Sequence, residues 1–62
     1  MVTEVRPGDV ILLPTGREIV LEEILYADRF CGLWIIEFRA KKSGIPYGYW
    51  KQDEDGGYLI QG

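Results

Sequence analysis

Apolar residues recur along this chain in short runs cut by turn-forming residues. The breaks fall at Pro7-Gly8, Pro14-Thr15-Gly16, Asp28 to Gly32, Ser43-Gly44 and Asp53 to Gly57. Their spacing is close to the roughly 8–12 residues expected between the turns of an all-β sandwich or barrel. The first run, Asp9-Val10-Ile11-Leu12-Leu13, stops at Pro14, which cannot donate to a sheet ladder and so belongs at a strand end or edge.

The second run, Arg17 to Ala27, admits two readings. Val20, Leu21, Ile24 and Leu25 recur at helical spacing, with Glu22-Glu23 on the wet side. Against a helix stand the β-branched residues at its start and the lack of an N-capping side chain at Gly16-Arg17. The strand reading needs a one-residue offset near Glu22-Glu23, so that Ile19 and Leu21, then Ile24 and Tyr26, share one face. A β-bulge supplies such an offset. Strand is the expectation, and a helix over residues 18–27 the alternative.

From Trp34 the third run alternates, with Trp34, Ile36 and Phe38 on one face and Leu33, Ile35, Glu37 and Arg39 on the other. Trp34 and Phe38 are expected in the core. Ala40 to Gly44 reads as a polar turn. The fourth run, Pro46 to Gln52, is aromatic and carries Gly48, which in a strand marks a bulge or a close backbone approach. Asp53 to Gly57 reads as an acidic hairpin loop with Asp55-Gly56 as its turn, and Tyr58-Leu59-Ile60 forms a fifth strand.

Five short strands opened by Arg6-Pro7-Gly8-Asp9-Val10 resemble the SH3-like barrel group, which includes KOW and Tudor modules. There a Gly-Asp pair often leads into the first strand, as Gly8-Asp9 would here, and a glycine-bearing turn follows, as at Gly16. The resemblance spans most of the chain as a layout and implies an all-β, five-stranded SH3-like barrel; a sheet packed by the helix over 18–27 would instead make the domain α+β. KOW modules usually carry more glycines and basic residues where this chain has Ile19-Val20-Leu21-Glu22-Glu23. The acidic, tyrosine-rich early loop and paired tryptophan of peptide-binding SH3 domains have no counterpart either. The resemblance therefore lends a fold and no binding residues.

Sixty-two residues form one domain over 1–62. A chain of this length buries only about 60% of its unfolded surface, and small domains commonly add a disulfide, a metal or a partner. Cys31 is the single cysteine and there is no histidine, so neither an internal disulfide nor a zinc site is expected. No cofactor is expected. Apolar residues make up 47% of the chain, which points to a strong core, a partner, or both. The net charge of −3 disfavours general nucleic-acid binding, which depends on Lys and Arg neutralising phosphates. Met1 to Arg6 shows no leader pattern and no run reaches the length of a membrane span. A lone cysteine fits a reducing compartment, so a cytoplasmic location is expected.

Without histidine there is no Ser-His or Cys-His nucleophile pair. Glu22-Glu23 and Asp53-Glu54-Asp55 are sequence neighbours that point apart in extended chain, and the latter lack calcium-loop spacing. Catalysis is not expected. Cys31, between Phe30 and Gly32, is expected as a small buried or half-buried hydrophobe, with Arg29 the one argument for a reactive thiol. The aromatic residues exceed what a small barrel encloses. Tyr47 and Tyr49 share one strand face and Trp50 takes the other, so some of that surface must stay open. Together with Arg39, Lys41, Lys42 and Lys51, these three are the candidate binding residues. The expected function is a non-catalytic interaction or assembly module, self-associating through aromatic surface or docking a protein partner. The alternative is a nucleic-acid-binding accessory protein that uses the aromatic and basic residues of the third and fourth strands.

Overall fold

The first strand is anchored by the turn that precedes it. In the computed structural model, which describes residues 5–62, the Asp9 N–H donates to the Arg6 carbonyl at 3.1 Å and closes a turn over Pro7-Gly8. The Asp9 side chain, 5% exposed, accepts from the Arg6 N–H at 2.9 Å and from the Gly62 N–H at 3.4 Å. One buried carboxylate thus ties the start of the described chain to its end. The reading of Met1–Glu4 as free of a leader lies outside the described residues.

Six strands follow: β1 (Val10–Leu12), β2 (Glu18–Val20), β3 (Glu23–Phe30), β4 (Leu33–Ala40), β5 (Ile45–Lys51) and β6 (Tyr58–Ile60). They make two antiparallel sheets of three strands, ordered β2-β1-β6 and β3-β4-β5. The fold is small and all-β, and the helix over 18–27 does not form. That segment is instead one extended path that changes sheet. Leu21 donates to the Asp9 carbonyl beside β1, while Glu22, the next residue, donates to the Arg39 carbonyl on β4. The strand needed an offset near Glu22-Glu23, and this is where it turns.

A second irregularity falls at Leu25. Ile24 pairs with Phe38, yet Tyr26 pairs with Glu37, so Leu25 is the extra residue of a bulge. The bulge rotates Tyr26 to the outer face, which corrects the expectation that it would share the inner face with Ile24. Two further expectations are corrected. Residues 53–57 are no hairpin loop, because β6 pairs with β1 and not with β5. A single helical turn, α1 (Gln52–Asp55), carries the chain from one sheet to the other. Gln52 fixes it, accepting from the Trp34 N–H and donating to the Gly57 carbonyl, each at 3.0 Å.

Cys31 is exposed rather than buried. Phe30 pairs with Leu33, so Cys31-Gly32 is a two-residue hairpin turn, and its φ angles are +54° and +79°. Positive φ at both positions matches the right-handed twist of the flanking strands, and the turn leaves the Cys31 thiol in the open.

The inner faces meet in one core. Ile11, Ile19, Leu21, Trp34, Ile36, Phe38, Ala40 and Trp50 are buried together with Val5, and Leu13, Ile24, Ile45 and Leu59 pack against them. Alternation puts three of the β4 residues there, Trp34, Ile36 and Phe38, as the sequence pattern predicts. Gly48 lies opposite Phe38. A Cβ at Gly48 would come within 2.5 Å of the Phe38 ring, so the missing side chain is what lets that ring approach the β5 backbone. The close approach expected at this glycine is therefore side chain to backbone.

Candidate functional site

The outer face of β3-β4-β5 follows from the same registers. Opposed residues on neighbouring strands share a face, so Tyr26, Glu37 and Tyr49 form one row across three strands, and Asp28, Ile35 and Lys51 the next. Phe30 and Leu33 form the last pair beside the Cys31-Gly32 turn, and Tyr47 stands one step beyond Tyr49 on β5. Phe30 is 71% exposed, Tyr47 56%, Tyr49 52% and Tyr26 48%. Large side chains normally half-buried on a solvated sheet are here gathered in the open on one surface.

Its polar groups are held in place. The Tyr47 hydroxyl donates to Glu37, and this bond holds the phenol above its ordinary ionisation range. The Tyr26 hydroxyl donates to Asp28 at 3.2 Å, with the same upward effect. Both phenols stay protonated near neutrality and present ring faces with their hydroxyls turned to carboxylates. Arg29 covers the Trp34 ring at 5.0 Å, closing the core at the end of the sheet.

Of the candidate binding residues, the structure puts Tyr47, Tyr49 and Lys51 on one face of β5 and sends Trp50 to the other. Trp50 faces inward, 3% exposed, and its indole N–H donates to the Gly56 carbonyl at 3.0 Å. It belongs to the core. The four cations form no common patch. Arg39 pairs with Glu23 at 3.4 Å near one end of β4, whereas Lys51 lies opposite Ile35, four residues and about 13 Å away along the strand. Lys51 pairs with Glu54 at 2.9 Å, which raises its own ionisation. Lys41 and Lys42 sit in the 3-10 turn Lys41–Ser43, where the Lys42 N–H donates to Glu22.

Two contributors to the surface, Tyr26 and Phe30, were not placed there by the sequence, and they join Leu33 and Ile35 on the face that alternation had assigned to those two. The signal that finds them is the turn. If Cys31-Gly32 is a two-residue hairpin, counting back along both strands pairs Phe30 with Leu33, Asp28 with Ile35 and Tyr26 with Glu37, all on the face opposite Trp34. A second apolar patch covers the outer face of the other sheet, where Val20, Val10 and Ile60 form a row and Tyr58 lies beside Leu12. Among the described residues no group of three or more His, Cys, Asp or Glu is placed to hold a metal ion, and no helix is long and apolar enough to cross a membrane.

Comparison with family models, with curated proteins and with solved structures finds no match to this chain.

Proposed function

We propose that this chain is a non-catalytic assembly module that self-associates through the outer face of β3-β4-β5. The two sheets are read as the halves of an SH3-like barrel: β2 and β3 are its single bent second strand, and β5 and β6, unpaired to each other, flank its open side. On that reading the five expected strands become six because the second divides at Leu21-Glu22.

The observation that carries the function is the exposure of Tyr26, Phe30, Leu33, Tyr47 and Tyr49 on one continuous face. Aromatic side chains present about 150–250 Å² each, so these residues alone offer on the order of 500 Å² of ring and aliphatic surface. A stable interface takes about 800 Å² from each partner, an area that Leu25, Ile35 and the rim can complete. Tyrosine is favoured in such contacts because it supplies area with little side-chain entropy to lose. A partner also answers the small size of the core. Light scattering after size exclusion tests the proposal. A dimer or higher species at high-micromolar concentration, lost in Tyr26→Lys/Tyr47→Lys, supports it; a monomer throughout removes it.

A further inference from the structure

A groove of about 550 Å³ lies between the sheets on the open side of the fold. Leu13 and Ile19 line one side, Ile45 and Trp50 the other, and Phe38 with Gly48 its base. The groove takes inward residues of β5 (Gly48, Trp50) and also the outward Tyr49, so it opens at the edge of that strand and not only at its inner face. That edge is the last of its sheet, with β4 on one side and no strand on the other. At its end the Lys51 N–H donates to the Asp55 carboxylate at 3.0 Å. An apolar trough beside a free strand edge supplies the two things an added strand needs, main-chain partners and pockets for alternate side chains.

The charges at its two ends give the trough a direction. Asp55 lines one end, on a helical turn that also carries Asp53 and Glu54. At the Ile45 end stand the Lys41–Ser43 turn, with Lys41 and Lys42, and Arg17, whose guanidinium donates to the Ser43 carbonyl at 2.9 Å. β5 runs from the basic end, where Glu22 offsets one cation, to the acidic end, where Lys51 pairs with Glu54 and Asp53 and Asp55 leave the balance negative.

We propose that this groove binds an extended, apolar peptide segment as a strand antiparallel to β5, with a basic residue at the segment's N-terminal end beside Asp53–Asp55 and an acidic residue at its C-terminal end beside Arg17 and Lys41-Lys42. The proposal rests on the reading of the chain as an interaction module and adds a second partner class on an adjoining surface that shares Tyr49 with the first. Antiparallel pairing sends the segment's charges to the ends that complement them; a parallel segment would set like charge against like.

The test is an amide-resolved NMR titration of the full chain with a terminally blocked peptide, Arg-Val-Thr-Val-Thr-Val-Glu. Shifts confined to Ile45–Lys51 and the Leu13–Arg17 loop, with slowed exchange of β5 amides, are expected. N-methylation of alternate peptide amides should weaken binding by about tenfold or more, the loss of one or two well-formed hydrogen bonds. The charge-reversed peptide Glu-Val-Thr-Val-Thr-Val-Arg should bind several-fold less tightly, and Asp53→Lys, on the exposed turn, should narrow that gap. Absence of shifts along β5, equal binding of the N-methylated peptide, or shifts centred on Tyr26 and Phe30 would overturn the proposal. Light scattering on the same samples separates the two surfaces. Self-association without peptide binding removes the groove site alone, and peptide binding by a strict monomer removes the aromatic interface alone.

Discussion

Three residues carry the local strain and local order of this fold. Cys31 holds φ at +54° in a two-residue turn, where a β-carbon crowds the following carbonyl; glycine escapes that cost, and asparagine or aspartate offsets it by hydrogen-bonding the local backbone. Cys31→Asn is expected to stabilise the domain by about 0.5–1 kcal/mol, seen as a higher urea midpoint at unchanged slope. Gly48 acts in the opposite sense. In Gly48→Ala the new methyl meets the Phe38 ring, which is 2% exposed, and destabilisation of about 1–3 kcal/mol is expected by the same measurement. Tyr47 reports on the surface itself. Its hydroxyl donates to Glu37, so its folded-state pKa lies above the unfolded value near 10. The stabilisation this bond gives is complete below that value and is lost as pH rises through the folded pKa. Ultraviolet titration should place one phenol higher than in Glu37→Gln, where it returns toward the ordinary range.

At the scale of elements, the fold depends on how the chain passes from one sheet to the other. It does so twice, at Leu21-Glu22 and through α1. The first crossing is braced by the Asp9 backbone, whose carbonyl accepts from Leu21, while the Asp9 carboxylate accepts from Arg6 and Gly62. Asp9→Ala removes the carboxylate that these two backbone N–H groups share and empties its buried position. Hydrogen bonds to a charged acceptor contribute about 1.5–3 kcal/mol, and a melting-temperature drop of corresponding size is expected. Much of this level is legible in the sequence. The alternation of Trp34, Ile36 and Phe38 marks the core face of β4, and the β-branched start of the second run marks a strand. Two features are hidden for physical reasons. Asp55-Gly56 carries a hairpin dipeptide, but local turn preference does not decide which strand a later strand joins, and β6 finds β1. The Leu25 bulge changes the face of Tyr26 without leaving a distinctive residue, because a bulge is defined by the partner strand and not by its own sequence.

For the whole molecule, composition foreshadowed the surplus of apolar surface without locating it. Trp50 shows why: it adjoins Tyr49 in sequence, yet strand alternation sends one ring to the core and the other to the surface. The cations were harder still to place, because Arg39 and Lys51 are brought near to or kept from each other only by the β4-β5 register. At roughly 0.05–0.15 kcal/mol per residue a domain of this size has a narrow stability margin, so burial of the outer face in a partner would add substantially to it. Association through that face makes the thermal midpoint depend on protein concentration, a dependence that Tyr26→Lys/Tyr47→Lys should abolish. Sedimentation equilibrium of the unmodified chain up to high-micromolar concentration tests the claim of self-association most directly. A reversible monomer–dimer curve that collapses to pure monomer in Tyr26→Lys/Tyr47→Lys is the predicted result, and a single monomeric species for the unmodified chain over the whole range would contradict it.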